Sequence, residues 1–231
     1  MEVIIPVFQF EIRFNHILNF SEIARNLLAP YVRLTQSIKI DKQNTLEETY
    51  TLNFEDDEYL IIVSWDRIVF RGQGSLDTYT QKNSPIDILF FDIFNQIYEL
   101  KEFGNIRRSW FFGMIISKPK TKSPVLDSFA KSTLVFNPNE IVKDFDDIAV
   151  VIESTTESES KSATFGPYWG PDDILKRPIK PINIVSLGDL DFEGIMLDYK
   201  RILLASEINF DTFIEHCSEF NDTFKKIWKN Q

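Results

Sequence analysis

Residues 84–100 constrain the fold of this chain more than any other stretch. Apolar side chains recur there at helical spacing, at Ile86, Leu89, Phe90, Ile93, Phe94, Ile97 and Leu100. Ile88, Phe91 and Tyr98 widen this stripe until little of the helix can face water. A helix of this kind is buried by its neighbours, and Ser84 is expected to cap it. The stretch is too short and too polar to span a bilayer. We therefore predict the central packing helix of a globular domain.

Strands are predicted on both sides of this helix. Residues 7–14 alternate between an aromatic-rich face and a polar face that carries Gln9, Glu11 and Arg13, as half-buried strands do. The other predicted strands are residues 50–54, 59–64, 67–71, 107–117, 148–152 and 192–204. A second long helix is predicted at 210–228, with an apolar stripe at Phe213, Cys217, Phe220, Phe224 and Ile227. Residues 154–162 are predicted to be a polar loop.

The order of these elements predicts the α+β class. We expect duplicated strand-helix-strands-helix units, with curved antiparallel sheets packed on two long helices. The chain would form a single domain over residues 1–231, with pseudo-repeats at 1–104 and 105–231. Such halves resemble those of TATA-box-binding-like and helix-grip folds. That resemblance concerns the fold alone and implies no function.

Composition and charge exclude several kinds of site. The chain has 231 residues, a formal net charge of -10 and a single cysteine, Cys217. Neither half is basic, so attraction to nucleic acid or to an anionic membrane is disfavoured. One cysteine allows neither an internal disulfide nor a cysteine-based zinc site. The 21 phenylalanines, with many isoleucines, lysines and asparagines, indicate an AT-rich coding sequence, as found in some bacteria, phages and mobile elements. The first residues lack the unbroken apolar run of a signal peptide, so we expect a cytoplasmic protein.

Three features of this chain resemble a sporadically distributed bacterial family. They are the run Phe10-Glu11-Ile12-Arg13-Phe14, the strand after a buried helix, and the closing strand plus aromatic helix. Its members are uncharacterised, standalone proteins of about this length. The chain departs from that family at residues 109–116, where the family tends to carry a second arginine and an asparagine. The resemblance implies a standalone accessory protein and assigns no active site.

Two groups of residues are candidates for binding. The first is four arginines at strand ends flanking the central helix: Arg67, Arg71, Arg107 and Arg108. If the strands that carry them are neighbours, these arginines could form an anion pocket. If the strands are apart, the arginines would make separate ion pairs at the surface. The second is Tyr168 and Trp169, between two Gly-Pro pairs that stiffen the loop. These rings could anchor a partner or fold back as a lid over the core.

Other motifs point away from catalysis and metal binding. Residues 189–194 resemble a calcium loop, but Lys200 occupies the position that needs a bidentate glutamate. His16 and His216 lack a second ligand or a nearby nucleophile, and are interpreted as surface or satisfied histidines. Acidic groups near residues 56–58, 144–147 and 153–159 are interpreted as solvated. No phosphate or dinucleotide motif occurs. We expect no cofactor, no metal and no catalytic residue.

The leading hypothesis is a non-enzymatic cytoplasmic binding protein that engages a protein partner. A small acidic domain of this kind could neutralise a basic toxin or act in a bacterial defence system. The alternative is a small-molecule ligand-binding domain, with an apolar or anionic ligand between the sheet and a long helix. An enzyme with catalytic residues distant in sequence ranks third, and nucleic-acid recognition fourth. Contact with a membrane is not expected.

Overall fold

A nine-stranded antiparallel sheet forms the frame of the protein. The computed structural model describes residues 2–54, 58–118, 129–130, 146–183, 190–205 and 207–228. Its strands are β1 (Glu2–Phe14), β2 (Thr35–Asp41), β3 (Thr49–Phe54), β4 (Tyr59–Ser64), β5 (Arg67–Gly72), β6 (Ile106–Lys118), β7 (Val150–Thr155), β8 (Glu159–Tyr168) and β9 (Gly194–Leu203). They are ordered β2-β3-β4-β5-β1-β6-β9-β8-β7. The two strands of 13 residues, β1 and β6, lie side by side near the centre.

The helices of the described residues are mostly short. They are α1 (Phe20–Leu28), α2 (Leu76–Tyr79), α3 (Phe91–Tyr98), α4 (Pro171–Leu175) and α5 (Phe210–Trp228), with a 3-10 helix at Ala29–Leu34 and a π-helical turn at Ile86–Phe90. The mixed α and β class with an antiparallel sheet is confirmed. Two long helices are not found: α5 has 19 residues, but the central segment is divided between the π-helical turn and the eight residues of α3.

The main core lies between one face of the sheet and the helices. Phe10 of β1 contacts the rings of Phe90, Phe91 and Phe213, at centroid distances of 5.6, 6.1 and 5.4 Å. The central segment and α5 therefore pack over the same strand. The central segment lies in the core as predicted, and its Phe94 is only 2% exposed. We call this side of the sheet the helix face.

A smaller core covers one end of the opposite face of the sheet. Its buried members are Val7, Phe112, Met114, Ile116, Tyr168, Ile174, Ile179, Leu190 and Met196. Ile174 belongs to α4, so this short helix and the chain after it cover the end of the sheet where β1 begins and β6 ends. The rest of this face carries the candidate site, and we call it the open face.

Two local predictions are wrong, and one strand was not predicted. The predicted polar loop at residues 154–162 belongs to the β7–β8 hairpin, whose register runs from Val150 opposite Phe165 to Thr155 opposite Ser160. Strand β2 had no sequence signal, because its side chains are mainly exposed on both faces. Ser84 does not cap the central helix; its hydroxyl donates instead to the carbonyl of Tyr79 at 2.7 Å.

Candidate functional site

A row of arginines crosses the open face. Arg13 on β1 lies directly opposite Arg67 on β5 and directly opposite Arg108 on β6. Residues opposite each other in antiparallel strands share a face, with Cβ atoms about 4.5–5.5 Å apart. Like charges in that arrangement are destabilising. An uninterrupted row of three is therefore costly to the fold unless anions neutralise it.

Only part of that positive charge is neutralised by residues that the structure describes. Arg13 pairs with Glu11 on the same strand, and Arg67 pairs with Asp66 at 3.3 Å. Arg108 makes no ion pair with any carboxylate in the described part of the chain. The row therefore keeps an excess of positive charge on a protein whose net charge is -10.

Arg71 lies on the same face as this row, four residues from Arg67 along β5, which is about 13 Å in an extended strand. It lies opposite Gln9, and its Nε and Nη2 both donate to Gln9 Oε1, at 3.0 and 2.9 Å. The partner is neutral, so the guanidinium charge stays uncompensated, and burial lowers the pKa of Arg71. We name Arg13, Arg67, Arg71 and Arg108 the arginine cluster.

Aromatic rings lie next to the arginine cluster. Trp110 follows Arg108 by two residues on β6, so both side chains point to the open face. The Trp110 ring stacks with Phe112 at a centroid distance of 6.4 Å and an interplanar angle of 28°. Tryptophan and arginine are the side chains most enriched among energetically dominant interface residues. The open face therefore combines both in one place.

The structure places three of the four arginines predicted as an anion site on one face of the sheet, and only Arg67 and Arg108 flank Arg13 in one row. Arg67, Arg71 and Arg108 share the open face, but Arg107 falls at a register shift between β1 and β6. Its exposed side chain donates from Nε to Asn15 Oδ1 at 2.9 Å. Sequence reasoning missed Arg13 as a member, although its place on the polar face of β1 was visible. The pairing of β1 with both β5 and β6 was the missing information.

Tyr168 and Trp169 have separate environments. Tyr168 is fully buried in the smaller core, where its hydroxyl donates to the Leu190 carbonyl at 2.9 Å. Trp169 is 42% exposed, and its backbone N–H donates to the Asp173 carboxylate at 2.9 Å. A partner could reach the Trp169 ring, whereas the Tyr168 ring holds the end of β8 against the smaller core.

A buried polar group lies on the helix face, between the sheet and α5. Ser109 Oγ and His216 Nε2 share a hydrogen bond of 2.9 Å, and both side chains are fully buried. Arg201 on β9 forms two contacts of 2.6 Å, from Nε to Glu159 Oε1 and from Nη2 to Glu215 Oε1. Glu159, interpreted from the sequence as solvated, is therefore an internal counter-ion.

Burial sets the charge state of His216. Desolvation, followed by the positive charges of Arg201 and Lys161, lowers the pKa of His216 to about 3. The imidazole is therefore neutral near pH 7. His16 occupies a different environment, exposed to solvent beside the Trp65 ring at a centroid distance of 4.0 Å.

Three polar atoms in the same interface lack hydrogen-bond partners within the described residues: Tyr199 Oη, Arg201 Nη1 and His216 Nδ1. All three side chains adjoin Phe111. Arg201 lies opposite Phe111 in the β6–β9 register, and the Tyr199 and His216 rings are 6.5 and 5.7 Å from the Phe111 ring. Buried polar atoms without partners are uncommon and require an explanation.

Other sequence candidates do not assemble into a reaction centre. In the described residues, no group of three or more His, Cys, Asp or Glu side chains could hold a metal ion. Asp56, Asp57, Asp144 and Asp189 lie outside the described residues. Within the calcium-like string, Leu190 and Phe192 pack into the smaller core. Burial raises the pKa of the Cys217 thiol, and its side chain belongs to the core.

A shallow groove of about 510 Å³ lies between α1 and α3 on the outer side of the helices. Its walls include Glu22, Glu99, Ile23 and Leu27. The groove is acidic at its rim and does not communicate with the arginine cluster, which lies on the other side of the sheet.

Among the described residues, no helix is long and apolar enough to cross a membrane.

Comparison with protein-family models gives no match for this chain, and comparison with curated proteins gives none either.

Proposed function

We propose that this chain is a binding protein whose contact surface is the open face, and that its partner is a protein presenting carboxylates to the arginine cluster. The observation that carries the proposal is the opposed row Arg67–Arg13–Arg108. Such a row destabilises an isolated sheet. A partner carboxylate would remove that cost and gain charge-assisted, bidentate hydrogen bonds.

The surroundings of the cluster favour a protein over a nucleic acid. On this side of the sheet the chain also holds two buried carboxylates: Glu11, which pairs with Arg13, and Asp198, which pairs with Arg177 at 3.2 Å. The net charge of -10 opposes the long-range approach of a polyanion. The half-buried Arg13 and Arg108 beside the partly exposed ring of Trp110 suit a protein surface that presents discrete acidic side chains.

The test compares arginines inside the opposed row with Arg107, which lies next to Arg108 in the sequence but outside the row. A fluorescein-labelled peptide of alternating glutamate and tyrosine, titrated with the protein, gives the dissociation constant by fluorescence anisotropy. We expect Arg108→Gln and Arg67→Gln each to weaken binding about tenfold, since one strong ionic contact is worth on the order of 1.5–3 kcal/mol. Arg107→Gln is the matched control, because Arg107 binds Asn15 outside the paired register. Equal effects of Arg107→Gln and Arg108→Gln would refute the proposal.

The same titration includes a labelled single-stranded oligonucleotide. If the oligonucleotide binds more tightly than the acidic peptide, and Arg108→Gln abolishes that binding, the partner is a nucleic acid and not a protein. Binding of the acidic peptide should weaken as salt rises, because exposed charges are screened. No measurable binding of either probe would remove the open face as a contact surface.

A small polar ligand between the sheet and α5 is the second candidate. It is favoured by the unpartnered atoms of Tyr199, Arg201 and His216 around Phe111. The variant Tyr199→Phe tests whether the Tyr199 hydroxyl binds a ligand or has no partner. If the hydroxyl serves no ligand, its removal leaves stability unchanged or raises it by about 1 kcal/mol, since an unpaired buried group is lost. If a ligand copurifies, native mass spectrometry shows its mass in the unmodified protein and its loss in the variant.

We also propose that residues 1–104 and 105–231 are two copies of one unit within a single domain. The strand order supports this, since reading outward from the central pair gives β1-β5-β4-β3-β2 on one side and β6-β9-β8-β7 on the other. Each half ends in a helical segment, and both segments pack on the helix face. The resemblance to the sporadically distributed bacterial family, and a role in defence or toxin neutralisation, remain predictions.

A further inference from the structure

Among the residues that the structure describes, β2 and β7 are the edge strands of the nine-stranded sheet. An edge strand presents unpaired backbone N–H and C=O groups that another strand can join, so proteins usually protect such edges. Comparing the two edges of this sheet shows which of them is protected.

Strand β2 carries the usual protection. Its pairing with β3 contains a register shift between Thr35 and Ser37, which interrupts the ladder. Further along, Lys39 is exposed and pairs with Asp41 at 3.0 Å. An irregular edge with an exposed lysine resists the addition of a strand.

Strand β7 lacks these features. Its six residues, VVIEST, pair with β8 in an unbroken register and contain neither lysine nor proline. Val151 and Ile152 are 58% and 57% exposed. Because consecutive residues of a strand point to opposite sides, apolar surface is exposed on both faces of this edge. Both side chains are β-branched and therefore suit a strand interior.

Unpaired acidic side chains surround the β7 edge. Asp146, Asp147, Glu153 and Glu157 are all exposed, and none forms an ion pair with a described residue. A second copy pairing β7 with β7 around a two-fold axis would bring these charges together, and like charges across strands repel. The charge pattern therefore favours a basic strand.

We propose that β7 is a docking edge for an extended, basic segment of a partner protein, which would add to the sheet as a strand beyond β7. In a segment of alternating aliphatic and basic residues, the aliphatic side chains would cover Ile152 on one face, and the lysines or arginines would face Glu153 on the other. Backbone hydrogen bonds would supply affinity and the side chains specificity, as in other cases of strand addition. This edge is separate from the arginine cluster, so the inference does not depend on the proposed function.

The test uses synthetic peptides and the complete chain. The probes are three fluorescein-labelled nine-residue peptides: alternating lysine and valine, alternating glutamate and valine, and the lysine peptide with proline at alternate positions. We expect the lysine–valine peptide alone to bind by anisotropy and to slow amide hydrogen exchange in residues 150–155. Equal binding of the proline peptide would show that charge alone acts, and would overturn strand addition.

Edge variants then locate the contact. Val151→Lys combined with Glu153→Lys should weaken the lysine–valine peptide at least tenfold, whereas Ile40→Lys on the β2 edge is the matched control and should leave binding unchanged. Both positions on β7 are exposed, so a circular dichroism melt should show an unchanged fold. Sedimentation experiments without peptide test whether the chain dimerises through β7. Concentration-dependent dimers that the β7 double variant abolishes would show that β7 binds a second copy of the chain, and would refute the proposal. Unchanged peptide binding in that variant would also refute it.

Discussion

The ring of Phe220 lies against Gly113 so closely that a Cβ at position 113 would be 2.6 Å from the ring Cζ. The register between β6 and β9 is continuous there, with Gly113 opposite Tyr199. The glycine thus allows α5 to approach the sheet, rather than bending the strand.

We predict that Gly113→Ala lowers the free energy of unfolding by about 1–3 kcal/mol, because the added methyl group overpacks a closed interface. Chemical denaturation measures the loss. Phe220→Leu alone should also destabilise the protein. In the double variant the two losses should be less than additive, because the smaller side chain makes room for the methyl group. Strictly additive losses would show that the contact is not responsible.

A second prediction concerns acid stability. The pKa of His216 is lowered in the folded protein from 6.5 to about 3, so the unfolded chain takes up a proton first as the pH falls. Stability from this group is complete above pH 6.5 and is lost as the pH falls toward 3. Between pH 7 and pH 5 we expect a loss of about 2 kcal/mol from this histidine.

Denaturation at both pH values tests this expectation in the unmodified protein and in His216→Gln. The variant should lack most of the difference between pH 7 and pH 5, whatever its absolute stability. His16→Gln, which removes the exposed imidazole, should keep it. Carboxylates with lowered pKa values, such as Glu159 and Glu219, lose their contribution at lower pH. If His216→Gln retains the full difference, the buried imidazole is not its source.

The third prediction separates the two rings at the end of β8. Tyr168→Ala should cost about 3–5 kcal/mol through a cavity in the smaller core. Trp169→Ala should cost less than about 1 kcal/mol, because the ring is largely outside that core. Thermal or chemical denaturation of the two variants gives the comparison. A large loss in Trp169→Ala would mean that this ring serves the fold and not a partner.

The parts of the fold that could be predicted are those with one buried and one exposed face. Helix α5 was predicted with its bounds because Phe213, Cys217 and Phe220 repeat along one stripe. Strand β1 was predicted because its aromatic residues alternate with polar ones. Strand β2 is mainly exposed on both faces, so its sequence has no alternation of buried and exposed residues. The apolar start of β7 was predicted within residues 148–152, whereas the polar residues where β7 ends and β8 begins were predicted as a loop.

The candidate site was predictable only in its residue types. Arginine at the ends of β5 and β6 suggested an anion site, but opposition of Arg13 to Arg67 and Arg108 depends on strand register. Register between distant strands is set by tertiary packing. The Ser109–His216 hydrogen bond joins residues that are 107 positions apart and had no local signal.

The central position of β1 also determines when the sheet can form during synthesis. Its partners β5 and β6 end at residues 72 and 118, so β1 leaves the ribosome well before either neighbour. Once β5 is made, the first five strands can pair in the order β2-β3-β4-β5-β1, while the other side of β1 stays open. On the far side, β9 separates β6 from β8 and is made after both. The nascent chain therefore carries the aromatic strand β1 with an open edge until β6 emerges, and it completes the sheet only when nearly all of its residues have been translated.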